Sequence, residues 1–188
     1  MLRRALKTRI LDHAELRLLE QGYRGMRVDE LARDVGISKR TLYELFRTKE
    51  DMASEALERI FADLLVQIDR AIHEHPADEG EQLRVIIGLL GDRFANARAP
   101  FHADVESTPA LVERVTSARA QVDERLDTVL RAGIASGRFR ADLDPHCVRL
   151  VLSATLDYLQ RQGHERMSMV EACEGLYDML ARGLLVPG

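Results

Sequence analysis

The chain has no tryptophan, two cysteines, five prolines, five phenylalanines and four tyrosines among 188 residues. Two cysteines, Cys147 and Cys173, fall in different expected helices and cannot supply the disulfide framework of a small secreted domain. Both are expected as small buried residues. So few aromatics argue against a large aromatic cage for a flat ligand. No run approaches the ~20 apolar residues of a membrane span. The charged start Met1-Leu2-Arg3-Arg4-Ala5-Leu6-Lys7 lacks the apolar core of a signal peptide, so a cytoplasmic protein without a membrane partner is expected. There is no glycine-rich phosphate loop, nucleophile elbow or metal-hydrolase motif, hence no expectation of an enzyme or a cofactor. The histidines, among them His73, His75, His102 and His146, lack the clustered spacing of a structural zinc site. No segment sustains the period-two alternation of a strand.

What the chain has is charge and helical periodicity. Hydrophobic residues make up 46% and charged residues 31%, a globular balance. The net charge of -4 argues superficially against a polyanionic partner. Its distribution reverses that: residues 1–50 hold 12 Lys and Arg against 8 Asp and Glu, and the remainder holds 15 against 23. A basic head on an acidic body orients a protein on nucleic acid and keeps the body off it.

The most informative run lies in that head. Leu31, Ala32 and Val35 form the apolar stripe of a short helix, and Gly36 can take the positive φ that ends it. Ser38 can then cap a second short helix, with Ile37, Leu42, Leu45 and Phe46 facing inward. Lys39, Arg40, Thr41 and Tyr43 are left outside. This is the layout of a helix-turn-helix, whose second helix reads the major groove. An ordinary buried helical hairpin would leave that basic, hydroxylic surface without a purpose.

Before this pair, Ile10, Leu11, Ala14 and Leu18 share one face of a first helix that ends near Gly22. After it, Thr48-Lys49-Glu50-Asp51 opens a long helix with Ala53, Leu57, Ile60, Leu64, Ile68 and Ala71 at steps of three or four, stopped by Pro76. Asp78 caps a helix carrying Leu83, Ile86, Ile87, Leu90 and Phe94, which ends before Pro100. Phe101 to Ser107 has little helical pattern. Thr108-Pro109 and Asp144-Pro145 are cap-then-proline starts. The first leads to Leu111, Val115, Val122, Leu126 and Val129, and the second to Val148, Val151, Leu152, Thr155, Leu156 and Leu159. Ser168-Met-Val-Glu171 is a capping box before Cys173, Leu176, Tyr177, Leu180 and Leu184. The expected fold is all-α, with a three-helix DNA-binding head over 1–50 joined by the long helix to a helical body over 51–188.

The run from Ile10 through Gln21-Gly22-Tyr23, Val28-Asp29-Glu30-Leu31-Ala32, Gly36-Ile37-Ser38-Lys39, Thr41-Leu42-Tyr43 and Phe46 to Lys49-Glu50 resembles the TetR family of bacterial transcriptional regulators. It covers about the first quarter of the chain. Gly137-Arg138-Phe139-Arg140-Ala141-Asp142-Leu143-Asp144-Pro145 is similar to the turn before the dimerisation helices of many members. The resemblance implies a homodimer that binds an operator in double-stranded DNA, with an unknown small-molecule effector as a further partner. It places Lys39, Arg40 and Thr41 in the major groove and Tyr43 and Lys49 on phosphates. Arg27 stands where the family usually has a threonine cap, so that cap is expected to be weaker. Glu44, with Leu45, departs from the aromatic and polar residues common there; its carboxylate could accept from cytosine yet repels phosphate. The candidate DNA-contacting set is Arg27, Ser38, Lys39, Arg40, Thr41, Tyr43, Glu44 and Lys49. Arg3, Arg4, Lys7 and Arg9 are expected as a flexible arm or a solvated terminus.

For the body, the stripes Val148, Val151, Leu152, Thr155, Leu159 and Leu176, Leu180, Leu184 are expected to form a two-fold interface. An effector cavity is expected among the helices opening at Thr48, Asp78, Asp144 and Ser168, entered near Phe101. Its candidate lining is Phe61, Leu65, Phe94, Phe101, His102, Val122, Leu126, Thr155 and Tyr158. The expected function is a repressor released from a palindromic operator by a small molecule. A ligand-independent regulator, an activator and a helical protein-interaction module are the alternatives.

Overall fold

A computed structural model describes residues 2–162 and 168–184. Every regular element among them is a helix: α1 (Leu2–Gly25), α2 (Val28–Val35), α3 (Lys39–Tyr43), α4 (Lys49–Glu74), α5 (Glu79–Phe94), α6 (Ala99–Ser107), α7 (Pro109–Ala135), α8 (Pro145–Gln162) and α9 (Met169–Leu184). The helix starts follow local chemistry. Ser38 Oγ accepts the Thr41 N–H at 3.1 Å, and Asp78 Oδ1 accepts the Glu81 N–H at the same distance. Thr48 Oγ1 accepts the Asp51 N–H at 2.9 Å. At α9 the box closes both ways: Glu171 Oε2 accepts the Ser168 N–H at 2.8 Å, and Ser168 Oγ accepts the Glu171 N–H at 3.2 Å. These bonds satisfy N–H groups that a helix start leaves without internal partners. Arg27 occupies the N-cap of α2 without a side-chain bond, as its residue type implies.

The segment from Phe101 to Ser107, expected to be irregular, is helical. Pro100 sits in the first turn of α6, where its missing N–H costs nothing. The weak periodicity arises because Phe101, His102, Asp104 and Val105 are all buried, two of them polar.

The chain divides into two compact units, Met1–Ala62 with Asn96–Ala118 and Asp63–Ala95 with Arg119–Gly188. Helix α6 packs on α1 and lies within the first of these units. The core of the first unit is Ile10, Ala14, Leu18, Met26, Leu31, Leu42, Met52, Leu57 and Ile60. In the second unit α5 packs on α9 and α9 on α8, around Ile68, Leu83, Ile86, Ile87, Val129, Leu130, Phe139, Leu152 and Leu176. Cys173 is buried there as expected, and burial pushes its thiol up to about 11. Cys147 instead lies exposed on α8.

Candidate nucleic-acid interface

The turn between α2 and α3 is built by one glycine. Gly36 has φ 73°, ψ 37°, and its N–H reaches back to the carbonyls of Ala32 and Arg33. A side chain would strain that left-handed conformation, so glycine sets the angle at which α3 leaves. Buried Leu42 and Phe46 fix the inner side of α3 and the residues after it. Lys39, Arg40, Tyr43 and Glu44 are exposed; Thr41 is half-buried and its hydroxyl lies 2.9 Å from that of Ser38. Arg27 is exposed at the start of α2.

The exposed charges are paired within the chain. The Lys39 ammonium bridges to Asp29 of α2, and Arg40 Nε lies 3.3 Å from Glu44 Oε1. Surface pairs of this kind contribute little, about 0–1 kcal/mol, and exchange readily for phosphate or a base edge. Glu44 accepts from Arg40, whose guanidinium is the kind of fork that matches the O6 and N7 of guanine.

The basic residues of α1 are more than an arm. Helix α1 begins at Leu2, and its arginines tie down the ends of the reading pair. Arg3 donates to the Glu44 carbonyl at 3.0 Å and Arg9 to the Val35 carbonyl at 3.0 Å, so cations sit at the C-terminal ends of α3 and α2. The Lys7 ammonium lies 2.6 Å from Glu55 and 5.3 Å from the Phe46 ring centroid. Arg17 joins α1 to α2 through Glu30 at 2.8 Å and Asp34 at 2.5 Å. The Arg17 guanidinium holds the Asp34 carboxyl below its ordinary value. None of these partners is within four residues in sequence, so spacing rules could not find them.

Lys49, expected on phosphate, is half-buried at the start of α4. Its ammonium lies 4.5 Å from the Tyr23 ring centroid and 3.4 Å from the Arg24 carbonyl. Burial lowers its pKa, and the Asp104 carboxylate partly offsets this.

The residues expected around an effector are divided between the units. Phe61, Phe101 and His102 are buried in the first, with the Phe101 and His102 rings edge to face at 5.1 Å. Phe94, Val122 and Leu126 are buried in the second, where Leu65 and Thr155 are half-buried. Tyr158 is 61% exposed and lines no interior.

The expected dimer stripe is also redistributed. Val148, Leu152 and Leu176 are buried within the single chain, Leu152 to 1% exposure. Leu159 and Leu180 are half-buried, and the Leu184 side chain lies outside the described residues. Helix α8 is apolar on two sides, and a stripe read at steps of three and four names both. The exposed side carries Cys147, Leu150, Val151, Ala154 and Tyr158, all left to solvent. On α9, Gly175 and Met179 are likewise exposed one turn apart.

Comparison with known proteins agrees with this geometry. Residues 10–56 match the family model described as bacterial regulatory proteins, tetR family. The chain is 25% identical over 184 residues to the fatty acid metabolism regulator protein of Bacillus subtilis (strain 168), covering 93% of each chain. Among solved structures, a putative transcriptional regulator from Saccharomonospora viridis in complex with choline superposes with a TM-score of 0.80 at 24% identity, over 96% of this chain and 98% of that one. The Bacillus subtilis regulator FadR in complex with stearoyl-CoA gives a TM-score of 0.77 at 22% identity, over 94% and 98%. No helix among the described residues is long and apolar enough to cross a membrane. The reading helix capped by Ser38, turned at Gly36 and presented by buried Leu42 thus lies inside the stretch, residues 10–56, that matches the tetR family of bacterial regulatory proteins, and the chain over nearly its whole length shares the fold of solved transcriptional regulators.

Proposed function

We infer that the protein acts as a two-fold homodimer on a palindromic operator, as a repressor that a small molecule releases. The observation that carries this reading is the exposed reading helix α3, only five residues long. One such helix covers few base pairs, and two heads related by a two-fold axis read inverted half-sites one helical turn apart. The surface that supports pairing is the outer side of α8, where Leu150 and Tyr158 are 59% and 61% exposed beside Val151 and Ala154. Apolar side chains at steps of three and four on one helix are self-complementary about a two-fold axis. By this reading Lys39, Arg40 and Thr41 face bases, with Glu44 orienting Arg40, while Tyr43, Ser38 and Arg27 face phosphates.

The effector reading rests on relatives. One is named for fatty acid metabolism and one solved neighbour holds stearoyl-CoA, while another holds choline. One architecture therefore accommodates dissimilar ligands, and the effector of this chain is a small molecule to be found by screening. Phe94 and Leu126 are the apolar lining proposed for it in the second unit. A released state that the effector prefers gains stability from it and loses operator affinity in the same measure.

The test begins with selection of duplexes from a random pool by the purified protein. Recovered sequences should contain inverted half-sites, and binding should weaken steeply with salt, as counterion release from phosphates requires. Sedimentation should give twice the 21.3 kDa chain mass. Recovery of single, unpaired sites by a monomer would overturn the dimeric reading; failure to bind duplex DNA at all would overturn the whole.

A further inference from the structure

Helix α1 breaks three residues before its end. Gly22, buried, has φ 73° and ψ 175°, so the helical hydrogen-bond register is interrupted there. A break leaves carbonyls before it and N–H groups after it in need of partners, and buried ones are costly to leave bare. Both kinds are served by the same distant segment. The Leu19 carbonyl accepts the Arg98 N–H at 2.9 Å, and the Arg24 N–H donates to Asp104 Oδ2 at 2.7 Å. The approach is tight. A Cβ at position 22 would stand 2.5 Å from Asp104 Oδ2 and 2.6 Å from the Pro100 carbonyl oxygen.

Asp104 is only 5% exposed. Its second oxygen lies 3.4 Å from Arg24 Nε, and the Arg24 guanidinium also donates to Ser107 Oγ at 3.1 Å. From the opposite side, Lys49 at the start of α4 donates to the carbonyl of the same Arg24 at 3.4 Å and rests on the ring of Tyr23. The peptide units around Arg24 are thus held through their N–H by α6 and through their carbonyl by α4. Met26 and the start of α2 follow immediately, and α2 carries the turn to α3.

We propose that Asp104 is a positioning residue for DNA binding: its carboxylate fixes the bent end of α1, and through it the angle at which α2 and α3 are offered to the duplex. Asp104 touches no base or phosphate. The inference rests on the DNA-binding reading above, and it assigns α6 the control of the head's posture. Sequence could not have marked this residue, because its partner lies 80 positions away.

The experiment uses the full-length protein with Asp104→Ala and Asp104→Asn. Against the selected two-half-site duplex, Asp104→Ala should lose about tenfold or more in affinity, the scale of one charge-assisted hydrogen bond. Its salt slope should stay that of the wild type, since no phosphate contact is removed. Asp104→Asn should recover most of the loss, because an amide oxygen can still accept the Arg24 N–H. Wild-type affinity for Asp104→Ala would overturn the proposal, as would a loss matching only the fraction of molecules unfolded. A second measurement needs no variant. In the wild type, hydrogen exchange at the Arg24 and Arg98 amides should be as slow as at the amides inside α6, and fast exchange at Arg24 would refute the clamp. Should the wild type bind no duplex DNA, the functional reading fails while the exchange result still decides the clamp.

Discussion

Two surfaces of this chain face solvent for opposite reasons. The outer side of α3 presents Lys39, Arg40, Tyr43 and Glu44, and each formal charge among them has a partner within the chain. Water tolerates such a surface, and a polyanion can replace its internal partners at small cost. The outer side of α8 presents Cys147, Leu150, Val151, Ala154 and Tyr158. Contiguous apolar side chains have no such tolerance; they gain roughly 25 cal/mol for each Å² removed from water. On the function proposed above, one surface exchanges reversibly with DNA and the other pairs with a second copy of the chain, so that affinity for DNA would rest on α3 and the geometry of its presentation on α8 and α6.

The contrast breaks most visibly at α8. Val151→Glu with Tyr158→Glu should leave the fold intact but yield monomers in sedimentation, with operator affinity lowered about 100-fold or more, the avidity that a second linked site supplies. A dimer of unchanged affinity would show that this face is not the interface. Its inward neighbour should behave differently. Leu152→Ala should cost about 2–5 kcal/mol in denaturant unfolding, because it opens a cavity in the core, while the folded fraction still dimerises.

On α3 the expected effects are smaller and concern sequence. Arg40→Ala should lose about 1–3 kcal/mol on the selected operator and little on random duplex, as removal of a base contact does. Equal losses on both DNAs would assign Arg40 to phosphate. Lys49→Ala is expected to lower thermal stability by about 0.5–1 kcal/mol through its contact with Tyr23, leaving the salt slope as it is. A slope reduced by about one would return Lys49 to the phosphate contacts.

The smallest effect is electrostatic and separates the head from its own acid limit. Asp34 is held below the ordinary 3.8 by Arg17, so its folded form binds a proton less readily than the unfolded chain does. The resulting stabilisation is complete above that value and disappears as pH falls through the lower folded value. Asp69, held down by Arg125, acts likewise in the second unit. Thermal melts from about pH 5 down to about pH 2 should therefore show a steeper decline in wild type than in Asp34→Asn. Parallel declines would show the Arg17 pair to contribute nothing.

Much of the head was legible because its signals are local. A positive-φ glycine, a serine cap and apolar residues three and four apart act within one or two turns, and α2 and α3 follow from them. The same holds for the starts of α4, α5 and α9, each closed by a side chain three residues from its partner. Helix α6 escaped because its inner face mixes Asp104 and His102 with Phe101 and Val105, and a mixed face has no apolar period. On α8 periodicity established the helix but could not tell the side facing α9 from the side facing water, since both are apolar.

The sequence alone determined the described helices other than α6, the turn that offers α3, and the residue types on its outer side, because those depend on backbone chemistry and neighbours within four positions. Only the tertiary structure decided that Arg3 and Arg9 tie down helix ends, that Leu152 faces inward while Val151 faces out, and that Asp104 receives the Arg24 N–H at the bend of α1. Those outcomes depend on which buried polar group meets which partner across tens of residues, and no local rule carries that information.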